Sequence, residues 1–224
     1  MIMPMNATEK LKASPCILLD LDGTILNSMS VWRTAPAILL ARRGIEPDAE
    51  QARILRTVRF SPAVDYMMEQ FDLGVPRESI ESEMRAIILD GYRTRVVPKA
   101  GAVAFLQMLR QRGKRVVAVT DNVAAAIDCA LERNDLAGYF DSVYCGPSYG
   151  MSKHMPEIFT MVLSREGFRA ADCMLFDDAP WPLETAQSLG IFTVAVEEPF
   201  SMHEYDAICA AADAWTKDYT EFLK

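Results

Sequence analysis

Five short apolar segments, separated by stretches of helical periodicity, constrain the fold of this 224-residue chain more than any other feature. They are Ile17 to Asp20, Val116 to Thr120, Ser142 to Cys145, Cys173 to Asp177 and Phe192 to Val196. Their length is that of single strands, and β-branched residues are densest in the second and last. Residues 101–112 carry Val103, Phe105, Leu106 and Leu109 on one helical face, and Gly113 stops that helix. Stretches 122–133, 153–166 and 183–189 read as helices too, with Gly190 ending the last. Strands alternating with helices predict an α/β fold: a Rossmann-like parallel sheet with helices on both faces. Ligands of such sheets bind beyond the carboxyl ends of the strands, where Asp20, Thr120 and Asp177 fall.

Residues 28–95 break the alternation. They read as four consecutive helices, about 28–43, 48–59, 62–71 and 77–93, with Pro36 expected to kink the first or delay its regular portion. Inserted between the first two strands, this block predicts a helical cap, 28–95, on a catalytic core of 1–27 and 96–224. Linkers near Asn27 and Arg95-Val96-Val97-Pro98 are its expected hinges. Charge follows the same division. The block holds ten arginines, ten acids and no lysine, so the remainder carries the whole net charge of −8.

That negative balance argues against nucleic acid and anionic membranes as partners, because both demand a basic footprint. No apolar run approaches the roughly 18 to 20 residues of a membrane span. The first fifteen residues lack the apolar middle of a signal peptide and read as a short extension. Five cysteines, an odd number without CxxC spacing, predict reduced thiols and a cytoplasmic protein.

Chemistry concentrates in Asp20-Leu21-Asp22-Gly23-Thr24, directly behind Cys16-Ile17-Leu18-Leu19. An alternating strand points carboxylates at i and i+2 to one side, which suits a divalent metal, a phosphoryl group or both. A turn is the competing reading, since Asp and Gly favour turns whatever the function.

Three further elements follow in order: Thr120 after Val116-Val117-Ala118-Val119, Lys153 in Ser152-Lys153-His154-Met155-Pro156, and Phe176-Asp177-Asp178. Together with the pentapeptide, they resemble the haloacid dehalogenase superfamily over nearly the whole stretch from Cys16 to Val196. The inserted block resembles the α-helical cap of its phosphoglycolate phosphatase and β-phosphoglucomutase branch. The resemblance implies that Asp20 attacks phosphorus and becomes an aspartyl phosphate, while Asp22 exchanges a proton with the leaving group and then with water. It implies Mg²⁺ held by Asp20, the backbone of Asp22 and Asp178, with Asp177 acting through water. Lys153, set at a helix start, supplies an ammonium. Thr120 donates its hydroxyl to phosphate, and Gly23, Thr24 and Asn122 complete the phosphate-binding loops.

Departures from the family pattern mark this chain. Asp121 beside Thr120 would repel phosphate unless it points away, His154 stands where proline is common, and Pro182 replaces a further acid of some relatives. In the cap, Arg56 and Arg59 are one helical turn apart and are candidates for a second anionic group of the substrate, the alternative being a solvated face. Trp32 and Met29 face either the site or the cap core, and Met67 and Met68 read as cap core. The only histidines, His154 and His203, lack metal-ligand spacing and are expected at the surface.

The expected activity is Mg²⁺-dependent hydrolysis of a small-molecule phosphate ester by a monomer or homodimer. A phosphomutase of the β-phosphoglucomutase type uses the same core residues. A non-catalytic phospho-ligand-binding or regulatory protein is the alternative of another class. Dehalogenase and phosphonatase chemistry are disfavoured, the first by the presence of Asp22, Asp177 and Asp178, the second by the lysine-free cap.

Overall fold

In a computed structural model of the chain, the described residues are 6–201 and 204–223. They form two compact units, one of residues up to Asn27 together with those from Val97 onward, the other Ser28–Val96.

The first unit is built on six parallel strands in the order β3-β2-β1-β4-β5-β6. These are β1 (Cys16–Leu19), β2 (Arg115–Thr120), β3 (Ser142–Cys145), β4 (Cys173–Asp177), β5 (Phe192–Val196) and β6 (Ala214–Thr216). The order reverses between β1 and β4, which puts the switch point of the doubly wound fold at the first strand. All four residues of β1 are fully buried, as expected of a central parallel strand covered on both faces. On one face Leu18, Val117, Val119 and Leu175 pack with Phe159 and Val162. On the other, Phe105 stacks on Tyr219 at 4.6 Å and meets Phe176 edge-on at 5.2 Å. Each such side chain contributes about 2–3 kcal/mol when fully buried.

Helices α1 (Ala7–Ala13), α6 (Ala102–Gln111), α7 (Ala124–Arg133), α8 (Pro156–Glu166), α9 (Pro180–Ser188) and α10 (Tyr205–Ala211) belong to this unit; α2 (Met29–Arg42), α3 (Ala49–Thr57), α4 (Phe60–Gln70) and α5 (Arg77–Thr94) make up the second.

Several elements differ from the sequence reading. The initial extension contains α1, capped by the Asn6 side chain accepting from the Glu9 amide at 2.8 Å. Strand β6 joins the sheet edge although its three residues carry no alternating pattern. Helix α9 begins three residues before the expected 183, because Pro180 and Pro182 lie in its first turn, where a missing N–H costs nothing. Helix α8 begins at Pro156, so Lys153 lies on the irregular segment before it and not at a helix start.

In the second unit, α2 runs unbroken through Pro36, without the delay that residue suggested. Its Trp32 donates to the Tyr92 hydroxyl at 2.8 Å and meets Phe60 and Tyr92 edge-on, so it serves the packing of these helices. Gly91 lets α5 approach α2 closely, since a Cβ there would lie 2.5 Å from Val31 Cγ1. Met67 is buried, but Met68 is 36% exposed and is not core. Arg56 and Arg59 do not share a helical face. Helix α3 ends at Thr57, Val58 and Arg59 are extended, and Arg59 caps the start of α4.

Among the described residues no helix is long and apolar enough to cross a membrane. His154 is exposed, and His203 lies outside the described residues.

Candidate active site

The site begins where β1 ends. Asp20 donates its amide to Phe176 O at 2.9 Å and so extends the ladder by one residue, which aims its carboxylate past the sheet edge. Leu21 O then accepts from both Ile25 and Leu26, and Gly23 donates to Leu26 O, closing a tight turn over Asp22 to Leu26. Both acids therefore stand beyond the strand, which stops at Leu19, and the turn sets the place of Asp22, whose charge acts on Asp20. Gly23 holds φ 84°, and a Cβ on it would lie 2.7 Å from Asp178 Oδ2. Glycine is required there for both reasons.

From the end of β4 come Asp177 and Asp178. Carboxylate oxygens of Asp20, Asp177 and Asp178 lie within 4.8 Å of one another, all three residues being buried. Lys153 is buried as well, not the solvated lysine that its type suggests. Its Nζ donates to Asp20 Oδ1 and to Asp177 Oδ2, each at 2.6 Å.

One ammonium faces three carboxylates, and the electrostatics record the shortfall. Burial pushes Asp20 up to about 6, with Lys153 opposing the rise and Asp22 adding to it. Burial and the Asp20 charge push Asp178 up to about 7, and burial carries Asp177 well above the usual carboxylate range. For Lys153, burial alone would favour the neutral amine, but Asp177, Asp20 and Asp121 raise it well above its ordinary value and keep it charged.

Asp178 is held by Ser201 Oγ at 2.9 Å, with Thr24 Oγ1 at 3.4 Å. Asp20 Oδ2 is buried and has no hydrogen-bond partner. An orphaned carboxylate oxygen inside an all-oxygen, over-negative cluster fits a hard divalent cation held by Asp20 and Asp178.

Thr120, buried at the end of β2, accepts the Asn122 amide at 3.1 Å, which directs its own proton elsewhere. The Asn122 side chain donates to Asp22 Oδ2 at 2.9 Å and accepts from the Val123 amide, so it orients Asp22. Asp121 points its carboxylate at the Lys153 amide, 2.8 Å away. Arg56 and Arg59 belong to the second unit, both exposed.

Supporting residues that motif reading missed complete the centre. Lys99 Nζ donates to Gly23 O and Glu197 O at 2.7 Å and to Glu198 Oε2 at 2.9 Å, fastening the Asp22–Gly23 turn to the loop after β5. Tyr219 Oη donates to Thr24 O at 2.9 Å. Neither residue had a local signal, because each acts across a long stretch of chain.

The sequence model of the haloacid dehalogenase-like hydrolases matches residues 15–190. The chain belongs to that family. A probable phosphatase, IndB, of Dickeya dadantii is 27% identical over 203 residues, 88% of this chain and 86% of that protein. Fructose-1-phosphate phosphatase YqaB of Escherichia coli is 27% identical over 187 residues, 80% of this chain and 95% of that one. Among solved structures, a putative β-phosphoglucomutase from Thermotoga maritima superimposes with a TM-score of 0.78 at 20% identity, covering 93% of this chain and 96% of that one, a likeness of fold. The chain is a phosphoric monoester hydrolase of the haloacid dehalogenase-like type, which sets aside the non-catalytic alternative. Enzymes of this family typically use a metal, and the buried acidic cluster supplies a place for one.

Proposed function

We propose that the protein is a Mg²⁺-dependent phosphatase that hydrolyses a small phosphorylated metabolite through an aspartyl phosphate on Asp20. The observation that carries this reading is the state of Asp20: one oxygen is held by the Lys153 ammonium and the other is buried without a hydrogen-bond partner. A buried carboxylate with one oxygen left open for a cation and the other beside an ammonium is fixed in place for attack on a phosphoryl group that the same two charges attract.

Asp20 and Asp178, with the backbone carbonyl of Asp22, would hold Mg²⁺, and Asp177 would act beside it through water while also accepting from Lys153. When bound, Mg²⁺ offsets the charge of the phosphoryl oxygens and lets an anionic nucleophile approach. Lys153 and the Thr120 hydroxyl stabilise the same oxygens, with the turn at Gly23 and Thr24 shaping the cradle. Asp20 attacks phosphorus, and the bond to the leaving oxygen breaks as Asp22 protonates that oxygen. Asp22, now ionised, takes a proton from the water that attacks the aspartyl phosphate, releasing inorganic phosphate and restoring Asp20. Asn122 keeps Asp22 turned toward this exchange.

The phosphatase relatives favour water over a sugar hydroxyl as acceptor, and the substrate in the name of YqaB supports a small phosphorylated metabolite. The unit 28–96 selects that metabolite, with Arg56 and Arg59, two of its exposed arginines, as candidates for a second anionic group. Five unpaired cysteines fit a cytoplasmic setting.

Hydrolysis of p-nitrophenyl phosphate tests the mechanism. Asp20→Asn preserves shape but removes the attacking charge, so kcat should fall by at least ~10³, a loss of about 4 kcal/mol in transition-state stabilisation, with the far-ultraviolet spectrum unchanged. Chelation should abolish turnover and Mg²⁺ restore it. A tenth of normal turnover in Asp20→Asn, or full activity in chelator, refutes the mechanism.

A further inference from the structure

Lys153 does its work from a backbone that no helix or strand supports. Between the 3₁₀ turn Gly146–Tyr149 and α8 the chain is irregular, with Gly150 at φ 65°. A lysine carries four rotatable bonds, so its ammonium can sit 2.6 Å from two carboxylates only if its own backbone is fixed. Two contacts provide that, one on each side. From the end of β2, Asp121 Oδ1 accepts the Lys153 amide at 2.8 Å, a charge-assisted bond. From α9, Trp181 stacks on His154, ring centroids 5.1 Å apart and planes 9° apart. Gly146 makes room for the first contact, since a Cβ there would lie 2.6 Å from Met151 O and 3.2 Å from Asp121 Oδ1.

We propose that Asp121 and the His154–Trp181 stack form a two-sided clamp on the backbone at Lys153, and that Asp121 and Trp181 are positioning residues for its ammonium. Lys153 is thereby fastened to the strand that carries Thr120 and to the helix that follows Asp177 and Asp178. The acid beside Thr120, at odds with bound phosphate if it faced the site, is instead turned to the lysine loop. The catalytic part of this inference rests on the phosphatase reading; the clamp itself does not.

Asp177 and Asp20 do more than Asp121 to keep Lys153 charged, so the positioning role of Asp121 rests on its acceptor oxygen more than on its charge. With p-nitrophenyl phosphate at saturating Mg²⁺, Asp121→Ala should lower kcat about 30-fold, a scale set by the sensitivity of catalysis to ångström misplacement. Asp121→Asn, which keeps an oxygen in the same place, should stay within about threefold. Trp181→Leu should lower kcat about tenfold while Trp181→Phe, which preserves a stacking ring, stays within about twofold. Independently of activity, amide hydrogen exchange at Lys153 should be slow in the native protein and in Asp121→Asn, and at least about tenfold faster in Asp121→Ala. Asp20→Asn and Lys153→Met run beside these variants. If both lose turnover while Asp121→Ala and Trp181→Leu remain within twofold, the clamp is wrong and the phosphatase stands. An Asp121→Asn as impaired as Asp121→Ala also overturns it, since charge and not the acceptor would then matter. If Asp20→Asn keeps its turnover, the phosphatase mechanism fails, and the exchange rates alone judge the clamp. Should Asp121→Ala fail to fold, Trp181→Leu carries the same test from the other side.

Discussion

Gly23 shows how one residue can serve both backbone and charge. Its φ of 84° costs an L-residue on the order of 1–2 kcal/mol, and a methyl group would stand 2.7 Å from Asp178 Oδ2. Asp178 cannot yield freely, because Ser201 Oγ holds that same oxygen at 2.9 Å. Gly23→Ala should therefore raise the Mg²⁺ concentration for half-maximal p-nitrophenyl phosphate hydrolysis by at least about tenfold, and lower the melting temperature by a few degrees. A Mg²⁺ titration that superimposes on that of the unmodified protein would separate Asp178 from the metal. The orphaned Asp20 Oδ2 and the raised Asp178 belong to the same over-negative cluster, which a bound cation relieves.

At the level of elements, two contacts decide how helices and strands meet. Helix α5 crosses α2 at Gly91, where alanine would gain ~1 kcal/mol in helix propensity. Its Cβ would nevertheless fall 2.5 and 2.9 Å from the two Val31 methyl groups, and overpacking of that kind costs about 1–3 kcal/mol. Gly91→Ala should thus destabilise the second unit, and Val31→Ala in the same chain should recover most of the loss; denaturant unfolding of the four corners of this cycle measures the coupling. In the first unit Asp141 joins β2 to β3. Its Oδ2 accepts from the Val116 amide at 2.8 Å and its Oδ1 lies 2.7 Å from Arg110 Nη1. Burial works against the charged form, but these bonds outweigh it and hold the carboxyl below its ordinary value. A depressed folded pKa gives stability that is present above the unfolded value near 3.9 and is lost as pH falls through the folded one. Asp141→Asn should therefore be less stable than the parent at pH 7, and the gap should close once pH has fallen through the depressed folded value; urea melts at neutral and at strongly acidic pH check the sign.

For the whole molecule, the insertion leaves and rejoins the core at one place. Asn27 donates to Val97 O at 2.8 Å, and Leu26 pairs antiparallel with Pro98. The two ends already lie at hairpin spacing, so residues 28–96 can be exchanged for an Asn-Gly turn without stretching the sheet. The shortened protein should fold, keep the cooperative unfolding of the core, and hydrolyse p-nitrophenyl phosphate measurably. It should lose the ability to rank sugar phosphates against other small esters. Unchanged selectivity across such a panel would mean that the core alone chooses the substrate. The charge distribution favours the division of labour: all of the net −8 lies outside 28–95.

What could be read from the chain was whatever its local pattern determines. The five principal strands are legible because parallel, doubly covered strands must be continuously apolar, and Asp20, Thr120 and Asp177 are legible because each follows such a run. The four helices of 28–95 show for the same reason, their periodicity being local. Tertiary structure determined the remainder. Strand β6 is three residues long and exists only because β5 offers an edge. Helix α3 stops at Thr57, which separates Arg56 from Arg59 although their spacing suits one face. The burial of Lys153, the grip of Ser201 on Asp178 and the three bonds of Lys99 join residues 23 to 133 positions apart. No window of sequence contains them, because a buried charge is tolerated only once the groups that neutralise it have been brought together by the fold.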